Sequence, residues 1–219
     1  MTKNIFILCI IISTLLSVLA GCSDEKSYIE YYEKGKSLYS SQKLEEALPY
    51  FEKTIMLNRK FKQAYVMAAK CYFYLNRESN ALDILEKVLK LYPDYTDANF
   101  WSGKIYYFLK EYNHAKEYLH AAVDEASNYI DARYLLGDIY LQERAYEKAL
   151  LNFNVVEANF DVIALSKLKK GEIYTYSKQY ENALGELLFI EQNKDLLDYS
   201  VLNEAYNLLS KINVKGENK

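Results

Sequence analysis

Proline occurs only twice in this 219-residue chain and glycine seven times. A turn-rich sandwich, a collagen-like chain or a low-complexity linker needs far more of both, and no stretch alternates Val, Ile and Thr in the manner of a half-buried strand. The chain reads as all-helical. Cysteine is equally sparse: of three, Cys9 and Cys22 fall in or beside an apolar N-terminal segment, which leaves Cys71 alone in the rest. A single thiol makes no internal disulfide, no metal-ligand spacing surrounds it, and in a helix it serves best as a small apolar filler. A basic excess is missing too, since the formal net charge is −3 and the pI near 5.6, so the cationic footprint of a nucleic-acid binder is absent. No phosphate-binding loop, nucleophile elbow or paired metal motif occurs, which argues against an enzyme and against a bound cofactor or metal.

What is present is a period. Gly35, Ala69, Gly103, Gly137 and Gly171 are spaced by 34 residues, and twelve positions after each comes an alanine: Ala47, Ala81, Ala115, Ala149 and Ala183. Recurrence at one fixed spacing marks a repeat array. With the small residue set at position 8, the repeats are 28–61, 62–95, 96–129, 130–163 and 164–197. Position 11 then reads Leu38, Tyr72, Tyr106, Tyr140, Tyr174, and position 24 reads Phe51, Leu85, Leu119, Phe153, Leu187. Two antiparallel helices, about positions 1–14 and 18–31, cross closely where both carry small side chains, so positions 8 and 20 are expected at the crossing with the large residues as knobs around it.

This pattern resembles the tetratricopeptide repeat over residues 28–197. The resemblance implies an α-α superhelix of five helix-turn-helix repeats, closed by a polar-faced capping helix over 198–212 and a frayed tail over 213–219. Two departures carry expectations. Position 4, usually aromatic, decays from Tyr31 and Tyr65 to Asn99, Arg133 and Lys167, so later repeats are expected to bury less there. Position 15, usually Gly, holds Gln42, Asn76, Lys110, Arg144 and Lys178; a left-handed turn there strains each by about 1 kcal/mol.

The family binds partners on a concave wall lined by positions 2, 5, 9, 12 and 13 of the first helices. Mapped onto this sequence, the resemblance implies a groove built from Tyr32, Lys36, Tyr39, Lys70, Phe73, Phe100, Lys104, Tyr107, Tyr134 and Asp138. Position 9 runs Lys36, Lys70, Lys104, then Asp138 and Glu172, a polarised stripe beside aromatics. A peptide laying apolar side chains on the rings, with its acidic part on the lysines, is the expected ligand. The clamp by which some relatives grip a C-terminal carboxylate is absent, because its positions hold Tyr32, Lys36, Met67, Asp97 and Trp101. A glycan stacked on the rings, or homotypic assembly, is the alternative use of such a surface. The Glu-x-x-His strings Glu111…His114 and Glu117…His120 place their histidines on different sides of one helix, against a metal site.

The N-terminus reads as an address. Ile5 to Ala20 is apolar apart from Ser13, Thr14 and Ser17, and its sixteen residues fall short of the roughly 20 that span a bilayer. It ends in Leu19-Ala20-Gly21-Cys22, which resembles the lipobox of bacterial lipoproteins. That resemblance implies a cleaved signal peptide over 1–21, lipid attachment at Cys22, a short tether over 22–27 and an exported, membrane-anchored protein. Ser23 favours the outer membrane where the cell has two. The expected role is an envelope scaffold whose protein partners lie near the membrane.

Overall fold

The computed structural model describes residues 28–126, 129–155 and 160–216, with the backbone alone for 160–162 and 213–216. Cys22 and the apolar segment lie outside the described residues. Those described form helices and no strand. The described residues fall into two compact units, the first ending at Pro93 and the second beginning at Asp94. The first holds α1 (28–40), α2 (Leu44–Leu57), α3 (Lys62–Tyr74) and α4 (Glu78–Leu91). The second holds α5 (Thr96–Phe108), α6 (Tyr112–Glu125), α7 (Ile130–Gln142), α8 (Tyr146–Asn154), α9 (Phe160–Tyr176), α10 (Tyr180–Gln192) and α11 (Tyr199–Gly216). Within each unit consecutive helices pair as hairpins, α3 on α4 in the first, and α5 on α6, α7 on α8 and α9 on α10 in the second. The ends of the repeat helices fall within a residue or two of the expected frame except at α8, which stops early, and α9, which begins four residues ahead of position 1.

The turn inside every repeat has one geometry. The backbone N–H of position 16 donates to the carbonyl of position 11 (Lys43 to Leu38, Arg77 to Tyr72, Glu111 to Tyr106, Ala145 to Tyr140, Gln179 to Tyr174), and that of position 15 to position 12. Those two bonds define a Schellman termination, whose C′ residue stands in the left-handed region. Gln42, Asn76, Lys110, Arg144 and Lys178 accordingly have φ between 55° and 61°, and no other non-glycine described residue has positive φ. The expected strained turn is present in all five repeats, without a glycine in any of them.

The packing refines the expected crossing. All five position-20 alanines are fully buried, but the contact that demands a small residue at position 8 is the large residue at position 24 of the same repeat. A Cβ on Gly137 would stand 2.6 Å from Phe153 Cε1, one on Gly35 2.8 Å from Phe51 Cε1, one on Gly103 2.6 Å from Leu119 Cγ, and one on Gly171 2.8 Å from Leu187 Cδ2. The position-24 side chains are buried knobs, whereas the tyrosines at position 11 are only half-buried.

Position 4 does not simply fade. It meets position 23 of its own second helix, and the pair changes chemistry as a unit. Tyr31 lies 6.1 Å from Tyr50 ring to ring, the Arg133 guanidinium donates to Asn152 Oδ1 at 3.4 Å, and Lys167 Nζ bridges to Glu186 Oε2 at 3.0 Å. Asn99, expected to be less buried, is only 3% exposed. Loss of aromatic area is offset by paired polar groups, the condition under which such groups are tolerated in a core.

In α11, Ala205, Leu208 and Ile212 are buried in a cluster with Leu168, Ala183, Leu187 and Ile190 of α9 and α10. Asn203, Glu204, Asn207 and Lys211 face outward. The helix continues to Gly216, past the expected frayed end at 213, and 217–219 lie outside the described residues. Gly185, in the middle of α10, is exposed and has open space where a Cβ would stand. Gly185→Ala should therefore stabilise the second unit by about 0.5–1 kcal/mol by reducing the freedom of the unfolded chain, read as a higher urea midpoint.

Candidate functional site

First helices of the repeats carry the residues expected to bind, and the structure sorts them by position. Position 5 turns inward. The Tyr32 ring packs 5.8 Å from Phe51 and 4.9 Å from Phe61, Tyr134 lies 5.8 Å from Phe153, and Phe100, 5% exposed, lies 4.9 Å from Tyr129. These three rings hold helices together. Val66 and Leu168, at the same position of other repeats, are buried likewise. Positions 9, 12 and 13 make the outward face.

On the first unit, Lys36 pairs with Glu33 at 3.1 Å and sits 5.5 Å over the Tyr32 ring, so its charge is partly answered within its own helix. Tyr39 and Phe73 are half-buried at position 12, and burial pushes the Tyr39 phenol up to about 12. Lys70 is half-buried as well. Beneath them Cys71 is fully buried, and burial pushes its thiol up to about 12, which makes it an inert filler.

On the second unit, Lys104 Nζ lies 4.6 Å from the Trp101 ring and 5.9 Å from Phe100. Asp138, only 8% exposed, receives the Tyr107 hydroxyl at 2.6 Å and the Gln142 amide at 2.7 Å, both on Oδ2. Burial and the Asp138 carboxylate hold the Tyr107 phenol far above its ordinary range, so it stays a donor. Lys169 reaches Glu172 and Glu204, each at 3.4 Å. Burial alone would lower its pKa, but those two carboxylates outweigh it and hold the ammonium above its ordinary value. Around these groups α7 and α9 leave a cleft of about 590 Å³, lined by Asp138, Leu141, Gln142, Arg144, Tyr146, Lys169, Glu172 and Tyr176.

On the first helices of the repeats, position 13 supplies exposed aromatics: Tyr74 at 48% on the first unit, Phe108 at 56% and Tyr176 at 57% on the second. The position-based expectation included Asp138, Tyr107 and Phe73 but passed over Lys169, at position 6, and Arg144, in the turn. Lys169 stands three residues before Glu172, a spacing that puts partners on one helix face, while no spacing in the sequence singles out Arg144. The two histidines diverge: His114 pairs with Glu111 at 3.0 Å on the surface, while His120 meets the Tyr140 hydroxyl at 2.9 Å between helices. Among the described residues no group of three or more His, Cys, Asp or Glu is placed to hold a metal ion, and no helix is long and apolar enough to cross a membrane.

A Schellman turn at the fifteenth position and a small residue under a buried knob, repeated every 34 residues, define an all-α helical-repeat protein. The family described as "Tetratricopeptide repeat" matches residues 38–104, and the one described as "Anaphase-promoting complex, cyclosome, subunit 3" matches 77–155. The helical hairpins of this chain have the tetratricopeptide-repeat fold. Among solved structures it is similar to YrrB, described as a tetratricopeptide-repeat protein with an unusual peptide-binding site, at 22% identity and TM-score 0.61, over 92% of this chain and 97% of that one. It is also similar to MamA from Desulfovibrio magneticus RS-1, at 20% identity and TM-score 0.67, over 78% of this chain and 97% of that one. A tetratricopeptide-repeat protein from Parabacteroides merdae aligns at 17% identity and TM-score 0.63, over 87% of this chain and 72% of that one. No curated protein matches the chain.

Proposed function

We propose that this chain is a non-catalytic scaffold that holds a segment of a partner protein on the outward face of its first helices, and that it does so from a bacterial membrane to which Cys22 ties it by lipid. The observation that carries the binding role is the set of half-exposed rings at position 13, Tyr74, Phe108 and Tyr176, each on a first helix. Rings that large contribute area at small entropy cost when a partner covers them, as in other recognition surfaces. The peptide-binding site that YrrB's description names belongs to that protein; it supports the same use of the fold here.

A photo-crosslinking amino acid placed at Tyr74 or Phe108 tests the role in cells, beside the same group at Met56 or Leu151, exposed residues of second helices. Capture of one protein from the first-helix positions and not from the others is the expected result. Identical capture from both sets would refute the assigned face.

The anchoring part of the reading rests on Leu19-Ala20-Gly21-Cys22. Each buried CH₂ contributes about 0.8 kcal/mol, so three acyl chains would hold the protein at the membrane essentially permanently. Cys22→Ser should release it into the soluble fraction after cell lysis, and undiminished sedimentation with membranes would remove the anchor from the proposal. With an envelope address, the partner is expected near the membrane, and the outer membrane is the expected site where two exist.

A further inference from the structure

The α7/α9 cleft of the second unit has a property that the exposed rings do not explain. Its charged lining groups divide into those that answer one another and those left open. Lys169, Glu172 and Glu204 form one bridged set. Asp138 is different: both of its donors, Tyr107 and Gln142, bind Oδ2, and Oδ1 accepts no hydrogen bond from any described residue. A carboxylate more than nine-tenths buried, clamped through one oxygen and bare on the other, is an acceptor fixed in advance for a donor from outside. The second open group is Arg144. Its backbone is set by the left-handed turn, its side chain is exposed, and it makes no ion pair with a described residue. Leu141, Tyr146 and Tyr176 complete the walls.

We infer that this cleft takes a peptide segment carrying two opposite charges, with a lysine or arginine donating to Asp138 Oδ1 and an aspartate or glutamate on Arg144. Like-signed ligands are disfavoured on either side. An acidic peptide alone would leave Asp138 unanswered and repelled, and a basic one alone would meet the unpaired Arg144 with no carboxylate of its own to answer it. The Arg144 fork favours the planar carboxylate of the partner, in one or two hydrogen bonds. This site lies on α7 and α9, outside the lysines of position 9, and it rests on the proposal that first-helix faces hold peptides.

The test is selection of phage-displayed random dodecapeptides on the immobilised chain, repeated with Asp138→Asn and with Arg144→Asn. Asp138→Asn can keep its carbonyl towards Tyr107 and Gln142, which turns the free position from acceptor to donor with no change of size. Arg144→Asn removes the cation at an exposed site and tolerates positive φ. Circular dichroism confirms that both variants keep their helices. The expected result is a set of peptides with Lys or Arg and Asp or Glu at a fixed spacing. A selected peptide labelled for fluorescence anisotropy should bind Asp138→Asn about ten-fold or more weakly, the size expected of a lost hydrogen bond to a charged group. Arg144→Asn should drop the acidic preference and keep the basic one. Peptides that are enriched but bind both variants as they bind the parent would overturn this site while leaving peptide binding intact. No enrichment would overturn the site together with the peptide reading of the second unit.

Discussion

Replacing Gly137 by valine lowers the stability of the second unit by about 3 kcal/mol, at the upper end of what overpacking a close-packed contact costs. Alanine in place of glycine within a helix normally gains about 1 kcal/mol, so the sign of any substitution here is decided by space. At Gly137 there is none: the first added carbon would lie 2.6 Å from Phe153 Cε1 and 2.8 Å from both Cδ1 and Cζ. Phe153 is 2% exposed and cannot swing into solvent. Valine adds two further carbons to that clash. The sole tryptophan, Trp101, is buried in the second unit, so its fluorescence in urea reports on this unit.

The second repeat supplies an internal control, because it carries Ala69 opposite Leu85 rather than Gly opposite Phe. Gly137→Ala with Phe153→Leu recreates that pair. The double variant should lose less stability than the two single variants summed, by about 0.5–3 kcal/mol, the usual coupling of touching residues. Strict additivity would mean that positions 8 and 24 are not the contact that selects the small residue.

That contact shows where the sequence was readable. A spacing of 34 residues exposes every position that needs one kind of side chain whatever the repeat, which is why positions 8, 20 and 24 and the non-glycine turn at position 15 could be named in advance. Position 5 could not be separated from the binding face in the same way. Tyr32, Phe100 and Tyr134 have the composition of a recognition surface and also of a core, and only the direction of the side chain against the neighbouring helix distinguishes them. Position 4 misled for another reason. Read alone, Arg133 and Lys167 look like lost burial, yet each meets a partner nineteen residues on, Asn152 or Glu186, that compensates for it. The Asp138 site was half legible: Gln142 stands one turn away on the same helix, but Tyr107 comes from 31 residues back, and nothing in either residue's identity announces that both bonds fall on one oxygen.

The five left-handed turns yield the second large effect, and its sign is opposite to that at Gly137. Lys110, Arg144 and Lys178 hold φ of 59° to 61° in the second unit. For an L side chain that conformation costs about 1–2 kcal/mol, and replacing it with glycine returns part of the gain through the greater freedom of the unfolded chain, about 0.5–1 kcal/mol each. The triple variant Lys110→Gly, Arg144→Gly, Lys178→Gly should therefore be more stable than the parent by about 2 kcal/mol, since the sites are separate turns and contributions at separate sites add. Two controls isolate the cause. Alanine at the same three positions removes the charges and keeps the Cβ, so it should gain nothing; an equal gain would assign the effect to surface charge. Asn76→Gly in the first unit should change little, because asparagine already tolerates φ of 55°. Urea unfolding followed by Trp101 fluorescence measures the triple variant, and an unchanged midpoint would mean that the Schellman bonds of positions 15 and 16, and not the choice of residue, set the stability of the turn.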